Sequence, residues 1–137
     1  MFEQIFLILL TIVLIIGQCL NNEYIYGVKK IDVKNVNTYY LNQIDKDGAY
    51  LIYGCNNQRA IALFNSKCRI SETKVKIIDD TLAVYYYTSN EVTNCTSLYN
   101  YLYLVDDSVN INSIDVYKND SKSYFTSVII SDKRIAK

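Results

Sequence analysis

The sequence contains no histidine, no proline and no tryptophan, and its 137 residues include only four glycines: Gly17, Gly27, Gly48 and Gly54. Each scarcity excludes something. Without histidine there can be no Ser-His-Asp or Cys-His nucleophile arrangement and no imidazole-ligated metal. Without proline, chain reversals fall to Asn, Asp, Gly and Ser. None of the glycines precedes a serine, so the Gly-flanked nucleophile on a sharp turn that a small hydrolase would use is also lacking. Charge of one sign is missing as well. The 14 basic and 14 acidic residues balance, and no basic stripe is present to track a phosphate backbone, which argues against nucleic acid as a partner.

What is present in quantity is apolar and aromatic. Half of the residues are hydrophobic and 14 are tyrosine, enough to exclude a disordered chain. The excess of Ile, Lys, Asn and Tyr is what a very AT-rich genome produces, and it lowers the weight of any single Asn or Tyr.

The longest apolar run is at the N-terminus. From Ile5 to Ile16 only Thr11 is not strongly apolar. A helix oily on every face must be taken out of water. Twelve residues are short of the roughly 20 that cross a bilayer, yet they fit the apolar region of a secretory signal. Gly17-Gln18-Cys19 offers a small-x-small cleavage pattern, with Leu20 as the new N-terminus. Against a signal, Met1–Gln4 has no basic residue and one acid. A retained anchor spanning by snorkelling or bilayer thinning is the main competitor, and a buried core helix is the third reading. Residues 1–20 are therefore read as a hydrophobic segment, with residues 5–20 as the membrane contact. Residues 21–137 form one extracytoplasmic domain of ordinary size. Lys29, Lys30 and Lys34 would favour a cytoplasmic C-terminal part, whereas the cysteines and sequons favour the outside.

Along that domain, periodicity predicts strands. Tyr24, Tyr26 and Val28 alternate, and Ile31 and Val33 alternate in the opposite phase, which one inserted residue near Lys29-Lys30 would reconcile. Residues 38–44 fit helix or strand. Residues 49–54 and 59–64 read as a hairpin across Asn56-Asn57-Gln58, and 74–78 with 81–88 as a second across Asp79-Asp80. In the second, Val75 and Ile77 are expected to face the core. Leu98, Tyr101, Leu102 and Val105 have helical spacing, so a short helix is expected near 96–105, although Tyr99, Tyr101 and Tyr103 would also fit a strand. A last hairpin is expected between 109–117 and 123–131, followed by a frayed tail from Asp132. The fold class is thus mainly β: a small antiparallel sheet or sandwich of six or seven strands behind an N-terminal hydrophobic helix.

Four cysteines, Cys19, Cys55, Cys68 and Cys95, form no C-x-x-C pair, and no cofactor or metal is called for. Disulfides are the favoured reading, with Cys55–Cys68 ahead of Cys68–Cys95. Buried free thiols and a redox role are the alternatives. Asn119-Asp120-Ser121 and Asn94-Cys95-Thr96 are N-glycosylation acceptor patterns. Asp45-Lys46-Asp47-Gly48 has the start of a calcium loop but lacks the bidentate Glu at its end, so it reads as an ordinary turn. Tyrosine brings large contact area, few rotors and a polar tip, so Tyr85, Tyr87, Tyr99, Tyr101 and Tyr103 are the interface candidates. Half-buried sheet positions are the plain alternative for them.

These features point to a non-catalytic, extracytoplasmic domain that binds another protein and is anchored in a membrane as part of a surface or envelope assembly. A secreted effector or ligand-binding module released by signal cleavage is the second reading, and a small hydrolase without histidine is the third. In layout, a short apolar N-terminus ahead of a cysteine-bearing domain of about 100 residues, the chain resembles the small N-terminally anchored ectodomain subunits of the complexes with which large DNA viruses such as poxviruses invade cells. The resemblance implies a context and carries no site residues.

Overall fold

The computed structural model of the chain describes residues 25–65, 70–89 and 101–136, together with Gln4. The apolar segment, Cys19, Cys68, Asn94, Cys95 and Tyr99 lie outside the described residues. Among the described residues no helix is long and apolar enough to cross a membrane.

The fold is mainly β, with two mixed sheets. The first has the order β1-β6-β3-β2-β9, from Val28–Ile31, Tyr101–Val105, Arg59–Phe64, Gly48–Tyr53 and Ser127–Ile130. The second has the order β4-β5-β7-β8, from Ile70–Ile78, Thr81–Thr88, Ile114–Lys118 and Ser121–Ser123. One six-residue helix, α1 (Thr38–Gln43), is capped by Asn37, whose side chain accepts from the Tyr39 amide at 3.0 Å.

The first sheet is buried on both faces. Leu51, Ile61, Leu63, Tyr103 and Val105 share one core with Leu82, Val84, Tyr86, Ile114 and Val116 of the second sheet. On the opposite face Tyr50, Ile52, Ala60, Ala62 and Leu102 pack with Tyr40 and Ile44 around α1 and with Ile135 of the C-terminal tail. Thr73 of β4 and the Tyr103 hydroxyl of β6 are hydrogen-bonded, which ties one sheet to the other.

Several expectations are corrected. The phase change near the start is a turn rather than a bulge at Lys29-Lys30. Tyr26 and Gly27 both have positive φ (53° and 81°), and Ile25 and Val28 exchange backbone hydrogen bonds across them. β1 then runs without interruption. The 96–105 helix is not found over its described part: Tyr101–Val105 is a strand held between β1 and β3. The ambiguous 38–44 stretch is a helix over Thr38–Gln43.

The last hairpin is tighter than expected, with β7 and β8 joined by Asn119-Asp120 alone. The chain then leaves the second sheet, and β9 pairs with β2 of the first, in parallel. β5 and β7 are also parallel, so the sheets are mixed rather than antiparallel. Gly48 permits the crossover: its φ is +145°, and a Cβ there would lie 2.8 Å from Thr126 Cβ. The tail is not frayed either. Ile135 is fully buried, its carbonyl accepts from the Asn37 amide at 2.8 Å, and its own amide donates to Gln58 Oε1 at 2.9 Å.

Candidate interaction surface

Alternation along β5 separates its tyrosines. Leu82, Val84 and Tyr86 point into the core, leaving Tyr85 and Tyr87 half-buried on the outer face of the second sheet. Register then decides their company. Tyr85 lies opposite Lys74 of β4 and Tyr117 of β7, and Tyr87 opposite Glu72. The Tyr85 and Tyr117 rings stack at 4.6 Å between centroids with an 11° interplanar angle. Lys76 Nζ lies 5.2 Å from the Tyr85 ring centroid and Lys74 Nζ 5.7 Å from that of Tyr87. Such cation–π contacts lay the aliphatic lysine stems along the sheet. Lys122 and Asp115 approach to 3.9 Å, and Lys74 and Glu72 to 3.6 Å.

The Tyr87 hydroxyl donates to Asp120 Oδ1 at 2.6 Å. This bond to a carboxylate stabilises the protonated phenol, and its pKa is pushed up to about 12. The result is a tyrosine–lysine face on the outer surface of the four-stranded sheet.

The other sequence candidates are placed elsewhere. Tyr101 and Tyr103 lie on the inner face of β6, stacked at 6.4 Å; Tyr103 is buried in the shared core and Tyr101 packs against it beneath Lys30. Burial raises the pKa of Tyr103. Asn119 is exposed at the β7–β8 turn, but its amide is engaged: Oδ1 accepts from the Thr88 amide at 3.0 Å and Nδ2 donates to Thr88 Oγ1 at 3.0 Å. Cys55 lies half-buried beside the β2–β3 turn and is the one cysteine among the described residues. The cysteines that could bridge to it are among the undescribed residues. At Asp45–Gly48, the Lys46 carbonyl accepts from the Tyr50 hydroxyl at 2.6 Å, which closes an ordinary turn. Among the described residues no group of three or more His, Cys, Asp or Glu side chains could hold a metal.

Two features were not singled out from the sequence. One is a polar depression of about 530 Å³ between the β2–β3 turn and the loop after β6, lined by Tyr53, Asn57, Gln58, Arg59, Asp107 and Asn112 among others. Arg59 Nη1 donates to the Val109 carbonyl at 2.6 Å and Nη2 to the Asp106 carbonyl. Two of its five N–H donors therefore hold the loop after β6 against the β2–β3 turn. The other is the edge strand β9, where Val128 and Ile130 are exposed at 51% and 76%, with Tyr124 in the segment before it exposed at 81%. Val128, Ile129 and Ile130 form an unbroken apolar run in the sequence, and which of them is exposed depends on the sheet that β9 joins.

The chain matches no protein-family model, no curated protein and no solved structure.

Proposed function

We propose that the chain is a non-catalytic, extracytoplasmic protein-binding module, held at a membrane through residues 5–20 and acting as one subunit of a surface assembly. In this reading the two sheets, sharing one core, form a sandwich whose second sheet carries the contact face. The observation that carries it is the outer face of that sheet, where Tyr85 stacks on Tyr117 beside Tyr87, Lys74 and Lys76. Aromatic side chains held rigidly at a half-exposed surface supply contact area at little entropic cost. The absence of histidine and of a Gly-flanked serine supports a role without catalysis.

Placement of a photo-crosslinking residue at Tyr85 in the full chain, expressed in its native cells, tests the contact face. The expected result is a discrete adduct with one protein that is absent when the probe is moved to exposed Lys34. Identical adduct patterns at the two positions would refute it. Intact mass of the native protein, non-reduced and then reduced and alkylated, tests the compartment. Full length with two disulfides supports the anchored module. A chain beginning at Leu20 makes it a secreted one, and full length with four free thiols excludes the extracytoplasmic reading.

A further inference from the structure

We infer that β9 is a self-association edge, at which a second copy of this chain pairs antiparallel to give a continuous ten-stranded sheet. The inference rests on the edge itself and is independent of the tyrosine face.

An edge strand exposes unpaired amides and carbonyls, and proteins ordinarily guard such edges with charge. Among the described residues three of the four sheet edges are guarded: β1 carries Lys29 and Lys30, β4 carries Glu72, Lys74 and Lys76, and β8 carries Lys122. β9 is not. From Ser123 to Ser131 there is no charged residue, although a fifth of the chain is charged. Val128 and Ile130 stand exposed on one face of that edge while Ile129 is buried on the other. A partner that also satisfies the backbone must be an extended strand.

The sequence of the edge states which strand fits. Ser127-Val128-Ile129-Ile130-Ser131 is nearly palindromic. A two-fold axis perpendicular to the sheet makes two β9 strands antiparallel and keeps each face on its own side, so the axis must pass a residue rather than fall between two. Centred on Ile129, it sets Val128 opposite Ile130 of the second copy, twice, and Ser127 opposite Ser131, twice. Every pair is then apolar with apolar or serine with serine. Centred one residue earlier, it would set Ser127 against Ile129 and Thr126 against Ile130. One residue later, it would set Val128 against Asp132. The uncharged edge also meets no like-charge repulsion in its own copy, which the lysines of β1 and β4 would create. Such an isologous contact closes on itself and leaves no further β9 edge open.

The test uses the full chain in a mild non-ionic detergent, with mass measured by light scattering at about 10 µM, where a Kd of about 1 µM gives mostly dimer and one of about 100 µM mostly monomer. Wild type is expected at twice the chain mass of 15.8 kDa. The variants Val128→Lys/Ile130→Lys and Val128→Glu/Ile130→Glu alter two exposed side chains. Each alone should be monomeric, with Kd raised about 100-fold, because two apolar cross-strand pairs become like-charge pairs. Mixed, the lysine and glutamate chains should re-form a dimer, since position 128 of one meets position 130 of the other. Ile77→Lys, at another exposed edge position, should remain dimeric. A monomeric wild type, dimers persisting in the singly charged chains, or a mixture that fails to reassociate would each overturn the inference.

Discussion

Scarcity of glycine leaves a measurable trace in the hairpins. Three two-residue turns, Asn56-Asn57, Asp79-Asp80 and Asn119-Asp120, have positive φ at both positions, at 56° and 59°, 48° and 63°, and 49° and 66°. That is the conformation hairpin twist favours, and glycine is the residue best suited to its second position. A side chain with a Cβ there costs about 1 kcal/mol, somewhat less for Asn and Asp. Glycine removes that strain but gives back about 0.5 kcal/mol through the freedom of the unfolded chain. Asn57→Gly should therefore stabilise by about 0.5 kcal/mol, and Asp80→Gly by slightly more, because it also separates two adjacent acids. Asp120→Gly should not follow them. Asp120 accepts the Tyr87 hydroxyl at 2.6 Å, and the substitution removes that acceptor along with the strain. Denaturant unfolding of the full chain, with the slope unchanged, reads the three differences. A tyrosinate titration provides a second readout: in Asp120→Gly, Tyr87 should ionise well below its value of about 12. Equal shifts at all three turns, or a loss of stability in Asp80→Gly, would refute the reasoning.

The crossover and the buried tyrosines give two more expectations. Gly48→Ala should destabilise by about 3 kcal/mol, since it forces a side chain onto a φ of +145° and against Thr126; chemical denaturation checks it, and a change under 1 kcal/mol would show that the loop simply moves. Tyr40, Tyr50, Tyr86 and Tyr103 all have their pKa raised from 10.0, with burial as the leading cause. The folded state then holds these protons more tightly than the unfolded chain, so their contribution is fully present below pH 10 and is lost as pH rises through the folded values. Thermal unfolding across alkaline pH should show Tm falling above 10, with late tyrosinate formation coincident with unfolding.

How much of this was legible depends on what each strand touches. The 74–78 and 81–88 hairpin could be read because one face is wet, so Lys74 and Lys76 alternate with Val75 and Ile77. Even there Ile77 stays 49% exposed, because it sits at the end of an edge strand rather than over the core. β6 could not be read in the same way. It runs between β1 and β3 with Leu102 buried towards α1 and Tyr103 and Val105 towards the second sheet. A strand buried on both faces loses its alternation, and its apolar run then satisfies helical spacing as easily. The parallel pairs were hidden for a different reason. A strand's own pattern says which residues face inward, not which neighbour it joins, and β9 has the same alternation in either sheet. The tyrosine face was half legible: the opposite facing of Tyr85 and Tyr86 follows from period two, but the Tyr117 stack depends on a long-range parallel register. The ordered tail turned on one residue, Ile135, whose burial local sequence does not announce.

The two proposed contacts constrain each other through the order of strands. β1 and β9 are the opposite edges of the first sheet, and the undescribed residues 5–24 join the fold at Ile25, beside β1. Pairing through β9 therefore puts the two chain entrances at the far ends of ten strands, about 43 Å apart at a spacing near 4.8 Å. For both apolar segments to enter one membrane, the two-fold axis must stand along the membrane normal. Since that axis is perpendicular to the sheet, the ten-stranded sheet must lie parallel to the membrane surface. One of its covered faces, either the α1 and tail side or the second-sheet side, then looks at the lipid. If the tyrosine–lysine face meets a partner protein outside the membrane, the α1 side must be the one turned inward. Exposed Lys34, near α1, would then lie close to the headgroups, and the two copies of the Tyr85–Tyr117 stack would face away from them together.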